Sequence, residues 1–401
     1  MESMSSTLFS AHKVPVFARG FLKLMENISA GSISITTPDG ELLELYGSSH
    51  GPHATLYIHD WAACGAILKS GDIGVAEAYR DRKIDTPDLL ALLLLALANQ
   101  KILEKTLHGN FWGTLFYRLR HWMNRNTRSG SQKNIHAHYD IGNSFYQLWL
   151  DSSMTYSAAL FTRGEQTLLA AQQAKYDRLL DMLGVKKGDH ILEIGCGWGA
   201  LAERAAERGC HVTGISLSLE QLAYARQRVQ GTPTENLTNF IYQDYRDISG
   251  KFDAIISIEM LEAVGQSYWP GYFLKIKDSL KPGAKAALQS ITIANECFSN
   301  YQSGTDFIQQ YIFPGGMLPS PDILEKEVTK AGLNIKDYYS FGHDYARTLK
   351  RWRENFETHL MSVYEQGFDE EFVRLWRFYL CYCEAGFFTN RTDVCQVIIS
   401  A

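Results

Sequence analysis

Residues 190–200 read HILEIGCGWGA, and the reading of this stretch decides the fold. His190–Ile194 is an apolar strand run; Gly195, Gly197 and Gly199 make a turn, and GALAERAAERG continues as a helix that Gly209 stops. Outward from the turn the same rhythm repeats. HVTGIS is a second strand and SLEQLAYARQRVQG a helix with Ser218 as its candidate cap. NFIYQD and KFDAIISIEM are a third and fourth strand, YWPGYFLKIKDSLKPG a helix ending at Pro282-Gly283, and AKAALQSITI a fifth strand. Strands alternating with helices predict a doubly wound α/β sheet, mostly parallel, with ligands at the carboxyl ends of the strands.

A glycine turn at a helix N-terminus brings a ligand close to backbone N–H groups. With Ala200 as the last small residue, Gly195-x-Gly197-x-x-Ala200 satisfies the dinucleotide pattern. A nicotinamide enzyme also wants an acid at the tip of strand two. That tip reads Ile215-Ser216-Leu217-Ser218 and carries no carboxylate. Ser216 and Gln221 are the groups in place to reach a ribose. QDYRD, residues 243–247, ends strand three: Asp244 can accept from an adenine amino group, and Tyr245 or Arg246 can flank the ring. The set suits adenosine without a second nucleotide.

The 401 residues are 45% hydrophobic, enough for a large core and two domains. Thirty-nine basic residues against 44 acidic ones give a net charge of -5, so no global basic field argues for nucleic acid. The seven cysteines form no CxxC pair, which fits a reducing cytoplasm; Cys381 and Cys383 are expected on opposite faces of a strand. The N-terminus has no signal-peptide pattern. LLALLLLALA, residues 89–98, is about half of a bilayer crossing and reads as a buried helix, capped by Thr86 with Pro87 at its first position. SISITTPDGELLELYG predicts strands around a Pro38-Asp39-Gly40 turn, in a small α+β N-terminal domain. From Leu115 to Ala137 five basic residues stand among aromatics with no acid. Either a solvated helix face or an element touching anionic lipid fits, with the domain boundary near Gly130.

Eight ordered motifs carry a resemblance. They are HAHYDIGNSFYQLWLDSSMTYSAALF (136–161), AQQAKYDRLL (171–180), LEIGCGWG (192–199), GISLSLEQ (214–221), QDYRD (243–247), SIEMLEAVG (257–265), YIFPGGMLPS (311–320) and FGHDYARTL (341–349). Together they resemble the cyclopropane-fatty-acyl-phospholipid synthase family of S-adenosylmethionine-dependent methyltransferases, from about Ile135 to the C-terminus. The resemblance implies a seven-stranded Rossmann-like catalytic domain over residues 131–401, and an accessory domain over 1–130 that touches membrane or pairs subunits as a homodimer. It implies a cytoplasmic enzyme, peripheral to the inner face of the membrane, whose partner is unsaturated phospholipid. Its cofactor positions are Tyr156, Ser157, Glu193, Gly195, Cys196, Gly197, Trp198, Gly199, Ser216, Leu217, Ser218, Gln221, Asp244, Tyr245 and Arg246. For Trp198 core packing is an equal reading, and for Cys196 a small filler.

An alkene is a poor nucleophile, so the implied reaction needs a sulfonium methyl donor, a dry pocket that stabilises a carbocation, and a base. Aromatic faces suit the cation. In the family the base is a bound bicarbonate ion. The matching positions here are Glu262, Tyr345 and the backbone of Ile291, with Gln289 where the family has histidine and Ala158 where it often has cysteine. Gln289 can hold an anion but not take its proton, and Ala158 offers only its N–H. Glu262 as a helix cap and Tyr345 as a core residue are the plainer readings. His136 and His138 lack a third partner with metal spacing, so no metal is expected. A branched-methyl product, another lipophilic acceptor, or an inactive lipid-binding protein are the alternatives. The tail FYLCYCEAGFFTNRTDVCQVIIS is expected to add a helix and a closing strand, with aromatics along an acyl tunnel.

Overall fold

The computed structural model of the chain describes residues 14–107, 141–164 and 166–401. The basic aromatic stretch from Leu115, the boundary near Gly130 and the pair His136 and His138 lie outside them.

Two sheets organise the described chain. The first has the order β2-β1-β3-β4. Its strands are β1 (Ala30–Thr36), β2 (Leu42–Tyr46), β3 (Ser49–Ile58) and β4 (Ile84–Asp85). β1 and β2 form the expected hairpin, with Gly40 at φ +84° in its turn, while β3 returns parallel to β1. Helices α1 (Val16–Glu26), α2 (Ala62–Ser70), α3 (Asp72–Arg80), α4 (Leu89–Ala98) and α5 (Gln100–Leu107) accompany it. The leucine-rich run is indeed α4, but its cap is Asp88, whose carboxylate accepts from the Ala91 N–H at 2.9 Å. Thr86 falls short because the helix starts later; its hydroxyl accepts from the Asp88 N–H instead. Asn99 ties the far end of α4 to the sheet, accepting from Ser29 and Ala30 N–H groups and donating to the Ala30 carbonyl.

The second sheet has seven strands in the order β10-β11-β9-β8-β5-β6-β7. β5 (His190–Ile194), β6 (His211–Ser216), β7 (Thr238–Tyr242), β8 (Phe252–Ile258) and β9 (Leu280–Ile293) run parallel. β10 (Asn334–Ser340) and β11 (Thr392–Ser400) are antiparallel to their neighbours, and β11 is the expected closing strand. Strand order reverses at β5, with β6 on one side and β8 on the other, so ligands belong above this switch point.

Two boundaries differ from expectation. The helix before β9 ends at Ser279, and Pro282-Gly283 lies within the strand. Between the pairs Phe252↔Leu280 and Ala254↔Lys285, β8 advances two residues and β9 five, so the Pro-Gly pair loops out as a bulge, with Gly283 at φ +75°. Cys381 and Cys383 lie on the long helix Glu370–Phe388 and not on a strand. That segment is apolar on nearly every side, because its faces pack on α3, α4 and the helix Gly342–Thr358 at once. No helix of the described residues is long and apolar enough to cross a membrane.

Candidate active site

The glycine turn stands where the sequence places it, between β5 and the helix Ala200–Glu207. Gly195, Gly197 and Gly199 have φ of +82°, +50° and +85°. A Cβ on Gly195 would lie 2.2 Å from Met260, whereas one on Gly197 would meet nothing within 4 Å. Gly195 is therefore needed for packing, and Gly197 faces open space in a cavity of about 850 Å³ that the turn lines. Trp198 is a packing residue as well as a cavity wall. Its indole N–H donates to Asn143 at 2.7 Å, its ring sits 5.3 Å from Tyr146, and it is 4% exposed. Cys196 is buried against Gly214.

At the tip of β6, Ser216 donates to Gln221 at 3.1 Å and accepts from the Ser218 N–H. Ser218 caps the following helix through the Gln221 N–H, as expected. Ser216, Leu217 and Gln221 line the cavity, as do Gln243 and Tyr245 beyond β7. Asp244 is engaged within its own segment: Arg246 grips its carboxylate with Nε at 2.8 Å and Nη2 at 2.6 Å. Glu193 is buried on β5 with one carboxylate oxygen unpartnered, and burial holds its pKa well above the usual carboxylate range.

The acceptor side is built from segments far apart in sequence. Three of the groups assigned above converge, but they meet on a residue that was not among the candidates. Glu259 follows β8; its Oε1 accepts from the Ala158 N–H at 2.9 Å and from Gln289 Nε2 at 2.8 Å, and its Oε2 accepts from the Tyr345 hydroxyl at 2.9 Å. The Gln289 amide is oriented by a relay: Arg178 donates to Gln396 at 2.9 Å, and Gln396 donates to Gln289 Oε1 at 3.0 Å. Glu259 has φ +51°, a left-handed backbone that costs a side chain of this kind of order 1–3 kcal/mol and clusters at functional sites.

Glu262 stands apart from this set. Its Oε1 accepts from Ser290 Oγ at 3.1 Å and from the Ile291 N–H, and its Oε2 is buried without a partner. Burial, reinforced by the Glu259 charge, pushes its pKa up to about 8. Burial also raises Glu259, but the Lys175 ammonium opposes this, followed by the hydrogen bonds from Ala158, Gln289 and Tyr345. Lys175 is fully buried, donates to Ser157 Oγ at 2.6 Å, and is pulled down to about 7 by desolvation.

These positions do not fit a bound bicarbonate. The N–H of Ala158, the amide of Gln289 and the hydroxyl of Tyr345 already serve a carboxylate of the chain, and a second anion there would face that charge without donors of its own. They do fit S-adenosylmethionine, since the glycine turn, the β6 tip and Tyr245 bound one cavity whose other lining includes Glu259 and Glu262. Around the acids stand aromatic rings: Tyr156, its hydroxyl 2.6 Å from that of Tyr379, with Phe313, Tyr345 and Phe387. Ser157 is held by Lys175 and, through its carbonyl, by Gln172. No group of metal-binding side chains occurs among the described residues.

Glu259 had a legible signal. It is an acid at the carboxyl end of a central strand, where ligands bind, but Glu262 three residues later drew the assignment. Lys175 and Gln396 gave none, since Lys175 is buried inside a helix and Gln396 acts through Gln289 and Arg178, each more than a hundred residues away.

Residues 126–397 match the family described as mycolic acid cyclopropane synthetase. The chain is 39% identical over 352 residues to the tuberculostearic acid methyltransferase UfaA1 of Mycobacterium tuberculosis, covering 85% of this chain and 82% of that one. It is 31% identical over 337 residues to the cyclopropane-fatty-acyl-phospholipid synthase of Escherichia coli, covering 83% and 84%. Among solved structures, the mycolic acid cyclopropane synthase CmaA1 complexed with SAH and CTAB superposes with a TM-score of 0.64 at 29% identity, over 67% of this chain and 98% of that one. With its fold, its glycine turn and these likenesses together, the chain belongs to the mycolic acid cyclopropane synthetase family of S-adenosylmethionine-dependent methyltransferases that act on lipids.

Proposed function

We propose that this protein methylates the double bond of an unsaturated acyl chain in membrane phospholipid, and that Glu259 is the base that takes up the released proton. The observation that carries the reading is the Glu259 carboxylate, fixed by three donors in a cavity shared with the glycine turn.

S-adenosylmethionine, when bound, supplies an electrophilic methyl group. The π electrons of the alkene form the new carbon–carbon bond, the sulfur–methyl bond breaks, and the charge left on the acyl chain is a carbocation. Tyr156, Phe313, Tyr345 and Phe387 can surround that charge with ring faces, which stabilise a cation without adding to it. Their bulk also excludes water. A C–H bond then breaks toward Glu259, and its electron pair closes a cyclopropane ring or forms a carbon–carbon double bond. Three hydrogen bonds hold Glu259 in one rotamer, and Lys175 favours its ionised form. Glu262, its pKa pushed up to about 8 mainly by burial, is mostly uncharged at neutral pH and adds little repulsion to an ionised Glu259.

A cyclopropane is the product the motif set implies. A methyl branch is the second reading, favoured by the 39% identity to the tuberculostearic acid methyltransferase and by a protein carboxylate standing where bicarbonate is expected. Incubation with S-adenosylmethionine and vesicles of cis-unsaturated phospholipid, followed by mass analysis and NMR of the acyl chains, tests both. A gain of one CH2 is expected; ring protons name the cyclopropane, and a methylidene or methyl-branched alkene signal names the second reading, since a saturated branch needs two further hydrogens from a reductant outside this assay. Unchanged lipid beside confirmed cofactor binding refutes the proposal.

A further inference from the structure

The cavity does not end in the catalytic sheet. From Glu259 and the glycine turn it passes the segment Asp306–Phe313 and continues between α1 and α4 of the N-terminal unit, where Phe21, Leu24, Leu92, Leu93, Ala96 and Leu97 line it. The last four fall at i, i+1, i+4 and i+5 of α4, one face of the helix. The composition of α4 then has a cause. A helix packed on a single core carries a polar outer face, but α4 is apolar throughout because one side packs on β1 and β3, another on the helix Glu370–Phe388, and a third borders the cavity. Ala96 is exposed on that side.

The N-terminal unit is also fastened so that this wall is fixed relative to the acids. Asp72 at the start of α3 accepts from the Tyr382 hydroxyl at 2.7 Å and the Phe307 N–H at 3.1 Å. Tyr311 donates to Glu77 of α3 at 2.5 Å. Buried Arg374 donates to the carbonyls of Tyr79 and Ile84, at 2.6 and 3.2 Å, and stacks over the Tyr79 ring. Phe307 and Tyr311 belong to the π-helical turn region whose next residues, Ile308, Gln309 and Phe313, line the cavity. The seam between the units is thus part of the cavity wall.

We propose that the N-terminal unit is a specificity element of the active site, in which the Leu92, Leu93, Ala96 and Leu97 face of α4 holds the part of the acyl chain beyond the double bond and sets its accepted length. The inference rests on the acyl-chain reading above. With the double bond held at Glu259, one arm of the chain must lie along the apolar stretch toward α4, and each methylene buried there strengthens binding about fourfold.

The test compares Ala96→Trp, which places an indole in the α4 stretch, with Ala98→Trp, on the same helix but away from the cavity. Binding of fluorescent polyene fatty acids of graded length is read without turnover. Vesicles of phosphatidylcholine with cis-monounsaturated chains of graded length are then incubated with S-adenosylmethionine and the products resolved by mass. Ala96→Trp is expected to weaken the longest probe roughly tenfold, about the worth of two buried methylenes, to spare the shortest, and to shift the products toward short chains. Ala98→Trp keeps the wild-type profile. A second variant, Leu97→Ala, widens the same stretch and extends the accepted range upward. Equal weakening at every length, or an unchanged profile in both cavity variants, overturns the inference. If wild-type protein binds the probes but methylates no lipid, the proposed function fails, and the probe-length profile still decides this inference.

Discussion

At the cofactor end of the cavity the chain presents backbone: three left-handed glycines in five residues and the tips of β5 and β6. At the acid end it presents side chains drawn together from the end of β8, β9, β11 and the helix Gly342–Thr358, joined by the Ala158 N–H. A backbone site is specified by what must be missing, a side chain at Gly197. A side-chain site is specified by each partner, so single deletions there are expected to change chemistry while sparing the first site.

The strongest break of this division is Glu259→Gln. Removing the base without changing its shape is expected to lower kcat about a thousandfold, within the range of general-base contributions, while calorimetry finds S-adenosylmethionine affinity nearly intact. Gly197→Leu is the converse. A leucine at φ +50° pointing into the cavity is expected to weaken cofactor binding at least about tenfold, with the fold retained by circular dichroism; normal affinity would show that the ligand does not approach Gly197. Tyr345→Phe removes one donor to an ionised carboxylate, worth about 1.5–3 kcal/mol. A loss of about tenfold or more in kcat is expected, read with unchanged cofactor affinity.

Lys175→Met sharpens the electrostatics. An ammonium stabilises the ionised form of Glu259, so its removal raises the Glu259 pKa. Activity needs that carboxylate ionised and therefore rises with pH; the ascending limb of kcat/KM is expected to move to higher pH in the variant. A limb that stays in place would assign Lys175 to packing. The smallest effect is expected for Glu262→Gln, about threefold at neutral pH, because a group with a pKa near 8 is already mostly uncharged there. A loss as deep as that of Glu259→Gln would transfer the base to Glu262.

The same division explains what the sequence made legible. Periodicity and glycines located β5 to β9, the turn and the Ser218 cap, because these depend on neighbours within a few residues. The tail's closing strand was legible for the same reason. Pro282-Gly283 misled, since a register bulge within β9 is set by pairing with β8 and not by local preference. Cys381 and Cys383 misled because a helix buried on several sides has no periodic polar face to reveal it. At the site, the motifs delivered Gln289, Tyr345 and Ala158 as residues but not their common partner. That partner emerges only when β8, β9 and the helix Gly342–Thr358 are folded together, and the Arg178–Gln396–Gln289 relay crosses more than two hundred residues of sequence.

On the proposed mechanism, Glu259 does the work expected of a bound bicarbonate. The direct measurement is wild-type turnover on cis-unsaturated phospholipid vesicles in carbon-dioxide-depleted buffer, repeated after adding bicarbonate. Equal rates are predicted, because the donors that would hold the ion are occupied by Glu259. A rate that collapses on depletion and returns with bicarbonate would contradict the account.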